Sequence, residues 1–158
     1  MDIQSRTPSQ SLTQHSQIIM AEHINGAGRL FGGRLMEWID IVAGVAARRH
    51  SGCNVTTVSI DTLHFKAPAH SNDTVVLEGI VTYVGRTSME VRVDTYVEAL
   101  SGERQMINRA YLVMVALDEN DRPTPVPALR PETEEEIAEQ ETGKRRSDLR
   151  RRRNAEQF

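Results

Sequence analysis

The hydrophobic period of this chain changes once, and the place where it changes limits the fold more than any other feature. Across residues 23–50, HINGAGRLFGGRLMEWIDIVAGVAARRH, a glycine-rich turn runs into a proline-free helical pattern. Leu35, Ile39, Val42 and Ala46 recur at the i, i+4, i+7, i+11 spacing of one helical face, which requires a core. Met36, Ala43 and Ala47 make a second, flatter face with the carboxylate of Asp40 at its edge. Arg48, Arg49 and His50 suit the negative end of the helix dipole, and Ser51 with Gly52 stops the helix. From Val55 onward the apolar period is two. The segments 55–66, 74–84, 88–99 and 105–117 each read as a strand, separated by turn-forming residues. In the third, Met89, Val91, Val93 and Val97 alternate with Glu90, Arg92, Asp94 and Glu98, so one face is buried and the other is wet. A further short strand is expected at 15–20.

Short turns between long strands predict an antiparallel sheet, because parallel neighbours need a crossover between them. One long helix ahead of one sheet gives an α+β chain whose economical architecture is a sheet curled around a single central helix. A length of 158 residues provides for one core and not two. The expected domain is 15–130. Residues 1–14, rich in Ser, Gln and Thr, read as a flexible arm. Residues 131–158 read as a charged tail, a block of glutamates followed by a block of arginines. The acid-first order favours a helix, but Gly143 interrupts it and no apolar face is available to dock, so a mobile tail or frayed helix is expected.

Composition narrows the function classes. No run approaches the ~20 apolar residues of a membrane span, and the N-terminus lacks a signal-peptide pattern, so a cytoplasmic protein is expected. Cys53 is the single cysteine, which excludes an internal disulfide. There is no G-x-S-x-G elbow for a serine nucleophile and no His or Cys spacing that holds a metal. Gly26 and Gly28 begin a dinucleotide fingerprint, but Phe31 stands where its third glycine belongs.

What remains is Asn25, the glycines and Asp40. Gly32 and Gly33 at a helix start present unpaired backbone N–H groups to an oxygen that gains negative charge. Asp40, two turns on, could serve as general base for water or attack directly. The plainer reading is a tight turn followed by a carboxylate that is solvated or paired with Arg34 or Arg48.

Three stretches carry a family resemblance: NGAGRLFGGRLMEWID at 25–40, VSIDTLHFKAP at 58–68 and VGRTSMEV at 84–91. Together they resemble the hotdog-fold acyl-CoA thioesterases, in the family's order and over residues 15–130. The resemblance implies a hotdog fold and a dimer whose sheets join edge to edge, with trimers of dimers frequent among such enzymes. It implies that Asp40 is the catalytic carboxylate and that Asn25, from the other subunit, orients the thioester or water. Phe31, Gly32 and Gly33 match the segment at the thioester carbonyl. Arg86, Thr87 and Ser88 match a turn along coenzyme A, and Lys66 is a further candidate for that contact. No catalytic role falls to His23, Glu37 or Trp38, and Trp38 is expected to pack.

The implied reaction is hydrolysis of an acyl-CoA, by water or through an anhydride on Asp40. No cofactor is needed beyond the coenzyme A of substrate and product. Two other readings are a hotdog domain that senses acyl-CoA without cleaving it, and a basic tail binding nucleic acid or an acidic membrane surface. The glutamates that precede the arginines, and the lack of interleaved aromatics, argue against the second of these.

Overall fold

The computed structural model describes residues 4–61 and 63–157. Its organising element is α1, Gly32–Ser51, 20 residues long and closed by Gly52 in the left-handed region (φ 69°), whose N–H donates to the Arg48 carbonyl. Leu35, Ile39, Val42 and Ala46 are buried, as the stripe requires. Ala43 and Ala47 are also fully buried, so the flatter face is half core. Trp38 packs edge-on against the His23 ring, with centroids 5.0 Å apart.

Around α1 curls an antiparallel sheet. Its strands are β1 (Thr13–Ile18), β2 (Asn54–Ile60), β3 (His64–Phe65), β4 (Thr74–Val84), β5 (Ser88–Glu98) and β6 (Arg104–Leu117). They lie in the order β1-β4-β5-β6-β2, and β3 pairs with β6 beyond the end of β2. The inward residues of β4, β5 and β6 alternate as the sequence demands: Val75, Leu77 and Val81, then Met89, Val91 and Val93, then Ala110, Leu112, Met114 and Ala116 are all buried.

Three expectations are corrected. The segment 55–66 is not one strand but two. β2 bulges between Thr57 and Ser59, and pairing stops at Ile60. Asp61 is drawn toward Arg150 and Arg153, and Thr62 lies outside the described residues. The described part of the expected arm is held in place: the Arg6 N–H donates to the Ala128 carbonyl at 2.9 Å, the Arg130 N–H donates back to Arg6 at 2.8 Å, and the strand expected from residue 15 starts at Thr13.

The third correction is the largest. The segment expected to be mobile or frayed is α2, Glu134–Gln157, laid across the outer face of the sheet. Its dock is polar rather than apolar. Glu90, with a fully buried side chain, takes two hydrogen bonds from Arg146 (2.8 and 3.0 Å), one from Arg150 (3.1 Å) and one from the Thr82 hydroxyl (2.7 Å). Arg150 also reaches Asp61 at 2.7 Å. The Arg146 guanidinium lies 3.8 Å from the centre of the Tyr111 ring, and the Tyr111 hydroxyl donates to Glu139 at 2.8 Å. Burial and the Glu139 carboxylate together push the Tyr111 hydroxyl up to about 12. Gly143, expected to interrupt the helix, is what lets it approach. A Cβ there would stand 2.7 Å from Tyr83 Cβ and 3.0 Å from Glu90 Oε1.

Two outcomes follow from this packing. Arg146→Met removes the main partner of a fully buried carboxylate, and the loss in denaturant-derived stability should be about 3–5 kcal/mol, the range for breaking one side of a buried ion pair. His50 is fully buried; its Nε2–H donates to the Pro127 carbonyl at 2.8 Å, and Nδ1 has no partner. Burial lowers its pKa, against the raising effect of that carbonyl, and Arg6 lowers it further. The folded state therefore resists protonation more than the unfolded chain does. The His50 contribution should be complete above about pH 6.5 and lost as pH falls below it. Melting temperature measured between pH 7.5 and pH 5 should fall in the wild type and fall less in His50→Gln.

Candidate active site

The glycine-rich turn before α1 is built around one side chain. Asn25 Oδ1 accepts from the N–H groups of Ala27 (2.9 Å) and Arg29 (3.2 Å), and its backbone pairs with Arg29 and Gly28. With the oxygen thus committed, the Nδ2 amide is the group left to donate outward, and Asn25 is exposed. Phe31 opens the helix without a side-chain cap, and its carbonyl already takes the Arg34 and Leu35 N–H groups. The N–H groups of Gly32 and Gly33 belong to the first turn and have no carbonyl one turn back to bond. Asn25, Gly32, Leu35, Phe65 and Lys66 line one cleft of about 460 Å³.

Asp40 opens elsewhere. It lies with Ile41, Val55, Thr57 and Met114 along a separate cleft of about 300 Å³. The Thr57 hydroxyl donates to Asp40 Oδ1 at 2.6 Å, and its oxygen also sits 3.4 Å from Met114 Sδ. Neither arginine named as a partner takes this carboxylate: Arg34 is turned to Glu37 at 3.3 Å, and Arg48 is exposed on the same cleft with no ion pair to Asp40 among the described residues. The hydrogen bond with Thr57 fixes one oxygen and leaves the other facing the cleft. That is the arrangement a general base or a nucleophilic carboxylate needs.

The remaining candidates divide between the two ends of the sheet. Arg86 and Thr87 lie in the turn between β4 and β5 and Ser88 opens β5; the turn is pinned by Ala116 N–H to the Thr87 carbonyl (3.0 Å) and Val126 N–H to the Arg86 carbonyl (2.9 Å), with the Arg86 side chain exposed. Ser88 pairs with Val115, and Val115 with Thr56, so this turn lies at the Asp40 end. Lys66 follows Phe65, which pairs with Asn108. Seven residues along β6 separate the two rows, roughly 23 Å at ~3.3 Å per residue. One chain therefore gathers Asn25, Gly32 and Lys66 at one end, and Asp40, Thr57 and the 86–88 turn at the other.

Thr57, which holds Asp40, is a residue that the sequence did not single out. Its signal was weak because Thr56, Thr57 and Ser59 are all hydroxyl-bearing, and the bulge in β2 upsets the parity that would tell which of them faces Asp40. Among the described residues no group of three or more His, Cys, Asp or Glu side chains is gathered as a metal would need, and Cys53 is free and half-buried. Among the described residues no helix is long and apolar enough to cross a membrane.

Comparison with known proteins identifies the family. Residues 27–100 match the model of the thioesterase superfamily. YkhA of Bacillus subtilis, named as an uncharacterised acyl-CoA thioester hydrolase, is 39% identical over 93% of this chain and 89% of its own length. A crystal structure of an apo hexameric acyl-CoA thioesterase superposes with a TM-score of 0.92 at 40% identity, covering 97% of this chain and 99% of the other. The acyl-CoA hydrolase of Staphylococcus aureus, solved with butyryl coenzyme A, coenzyme A and coenzyme A disulfide, gives 0.92 at 30% identity over 96% and 93%. Alanine variants of that enzyme at an asparagine, an aspartate and a threonine superpose with TM-scores of 0.93, 0.92 and 0.91. With a sheet curled around one long helix, a glycine-rich helix start and relatives of this similarity over nearly its whole length, the chain belongs to the hotdog-fold acyl-CoA thioesterases.

Proposed function

We infer that the protein hydrolyses acyl-CoA thioesters to the free acid and coenzyme A, in a site shared between two copies of the chain. The observation that carries this reading is the Asp40 carboxylate, held at one oxygen by Thr57 and open at the other. The asparagine, aspartate and threonine altered in the S. aureus enzyme have the same spacing along that chain as Asn25, Asp40 and Thr57 have here. This supports treating the three as one site, although in a single chain Asn25 and Asp40 line separate clefts. A second copy reconciles the two facts. β2 is the free edge of the sheet beside Asp40, and a partner meeting that edge would bring its own Asn25 end to this Asp40 end. The hexameric state of the related structure fits assembly from such dimers as a trimer.

In this arrangement one copy supplies Asn25, Phe31, Gly32, Gly33 and Lys66, and the other supplies Asp40, Thr57, Arg86, Thr87 and Ser88. The thioester carbonyl oxygen accepts from the first-turn N–H groups of α1 and from the Asn25 amide, which favours the charge that develops as the carbonyl carbon becomes tetrahedral. Asp40 takes a proton from the attacking water, the C–S bond breaks, and the coenzyme A thiolate leaves and is protonated. Alternatively, Asp40 attacks the carbonyl itself, and water then opens the resulting anhydride. Both routes need the same open oxygen, and neither calls on a cofactor. Arg86, Thr87 and Ser88, with Lys66, contact coenzyme A, where the cations pair with phosphate. The free Cys53 suits a cytoplasmic location.

Two measurements test this. Asp40→Asn should lower kcat with butyryl-CoA by at least ~10²-fold while leaving the oligomer intact by sedimentation. Near-normal turnover would remove Asp40 from the mechanism. Asn25→Asp keeps the turn-capping oxygen but exchanges the outward donor for an acceptor, and it should also be nearly inactive. Unfolding and refolding the two variants together at equal ratio should restore about a quarter of wild-type activity, because half of the dimers are mixed and each mixed dimer has one intact site. Failure of the mixture to exceed the separate variants would place both residues in one subunit's site.

A further inference from the structure

The cleft at Asp40 is charged at both ends and apolar between them. Asp40 and Thr57 stand at one end, and Val45, Val55 and Met114 supply apolar wall. Arg48 lines the same cleft, is exposed, and its side chain joins no hydrogen bond or ion pair among the described residues. The next arginine shows the contrast: Arg49 donates to the Leu12 carbonyl and to the Thr13 hydroxyl oxygen, and so ties α1 to β1. The helix dipole favours a cation in this last turn. It does not require that cation to line the space that begins at Asp40.

Asp40, Gly44 and Arg48 follow one another at intervals of four along α1, so they form one row. A Cβ on Gly44 would meet no heavy atom of the described chain within 4 Å, so core packing does not ask for a glycine there. Its effect is to leave the row open between the acid and the cation. On the facing wall β2 runs back beside the helix, with Thr57 bonded to Asp40 and Val55 two residues closer to the turn that follows Arg48. Eight residues of helix at ~1.5 Å each separate Asp40 from Arg48 by about 12 Å along the axis. Helical side chains lean toward the N-terminus, which shortens the gap between the two charged groups to the length of a short aliphatic chain. The cleft volume of about 300 Å³ suits an acyl group of that size. A catalytic carboxylate, an apolar passage and then an unpaired guanidinium match an acyl chain that ends in an anion.

We propose that the acyl group hydrolysed here carries a second carboxylate at its far end, and that Arg48 binds it. This rests on the thioesterase reading and names its substrate class: the coenzyme A thioester of a short dicarboxylic acid of about five or six carbons. The thioester carbonyl lies at Asp40, the methylenes lie over Gly44 beside Val45 and Val55, and the terminal carboxylate takes two hydrogen bonds from the guanidinium fork. Water adds to the thioester as before, and the products are the diacid and coenzyme A. A chain ending in methyl would leave the cation without a partner.

The test measures kcat/KM for glutaryl-CoA and for valeryl-CoA, which have equal carbon number and differ in the terminal group, with the wild type, Arg48→Gln and Arg48→Lys. The wild type should prefer glutaryl-CoA. Arg48→Gln should lower the ratio of glutaryl to valeryl kcat/KM about tenfold, chiefly through KM for glutaryl-CoA, as loss of a charge-assisted hydrogen bond does. Arg48→Lys, which keeps the charge without the fork, should recover part of that ratio. A wild-type preference for valeryl-CoA would overturn the proposal. So would an unchanged ratio in Arg48→Gln; an equal fall with both substrates would put Arg48 on the coenzyme A they share. If the wild type cleaves neither thioester, the enzymatic reading fails by itself. Calorimetric titration with the same two thioesters then decides the cleft alone: tighter wild-type binding of glutaryl-CoA that is lost in Arg48→Gln supports it, and equal affinities refute it.

Discussion

The sheet closes around α1 because the helix is narrow where they meet. Ala43, Ala46 and Ala47 are fully buried and bring the helix backbone close to the strands, while Leu35, Ile39 and Val42 fill the space on either side. Full burial of each of these larger side chains contributes about 1.5–3 kcal/mol. The resulting seal leaves no room for an unpaired charge inside. Asp40 sits where the seal ends, half-buried, one oxygen satisfied by a strand hydroxyl and the other facing out. Its accessibility is therefore a matter of position: Ala43, three residues on, is fully buried, and Glu37, three residues back, is exposed.

Much of this was legible in the sequence because it rests on local pattern. The limits of α1 follow from its apolar spacing, Ser51 and Gly52. β4, β5 and β6 fall within a residue or so of where their alternation ends, and Trp38 packs as a large aromatic on a helical face should. Asn25, Gly32, Gly33 and Asp40 stood out as polar or small residues that the core did not explain.

What the pattern did not contain depends on pairings between distant residues. α2 has no apolar stripe, and its dock is made by Glu90 on β5, Tyr111 on β6 and Asp61 just after β2, residues far apart in sequence. In strand alternation Glu90 reads as one more outward-facing acid, and only the arrival of Arg146 and Arg150 distinguishes a solvated carboxylate from a buried one. Gly143 shows the same ambiguity. Judged alone it lowers helix propensity, yet against Tyr83 it is the residue that fits. The break after Ile60 was hidden because Asp61 is pulled aside by α2 rather than by any turn residue of its own.

The strand order has a consequence for how the chain acquires this shape. β4, β5 and β6 follow one another through short turns and form the centre of the sheet, whereas β1 and β2, which come earlier in the chain, lie at its two edges. β1 pairs with β4 some sixty residues downstream, and β2 pairs with β6 at a similar separation. β1 has no partner until β4 exists, β2 has none until β6 exists, and α2 has no surface to lie on until β6 is in place. During synthesis the first fifty or so residues, α1 with its apolar face included, must wait without a core until about residue 117 has emerged. The segment that carries Asn25 and Asp40 is made before the strands that enclose it.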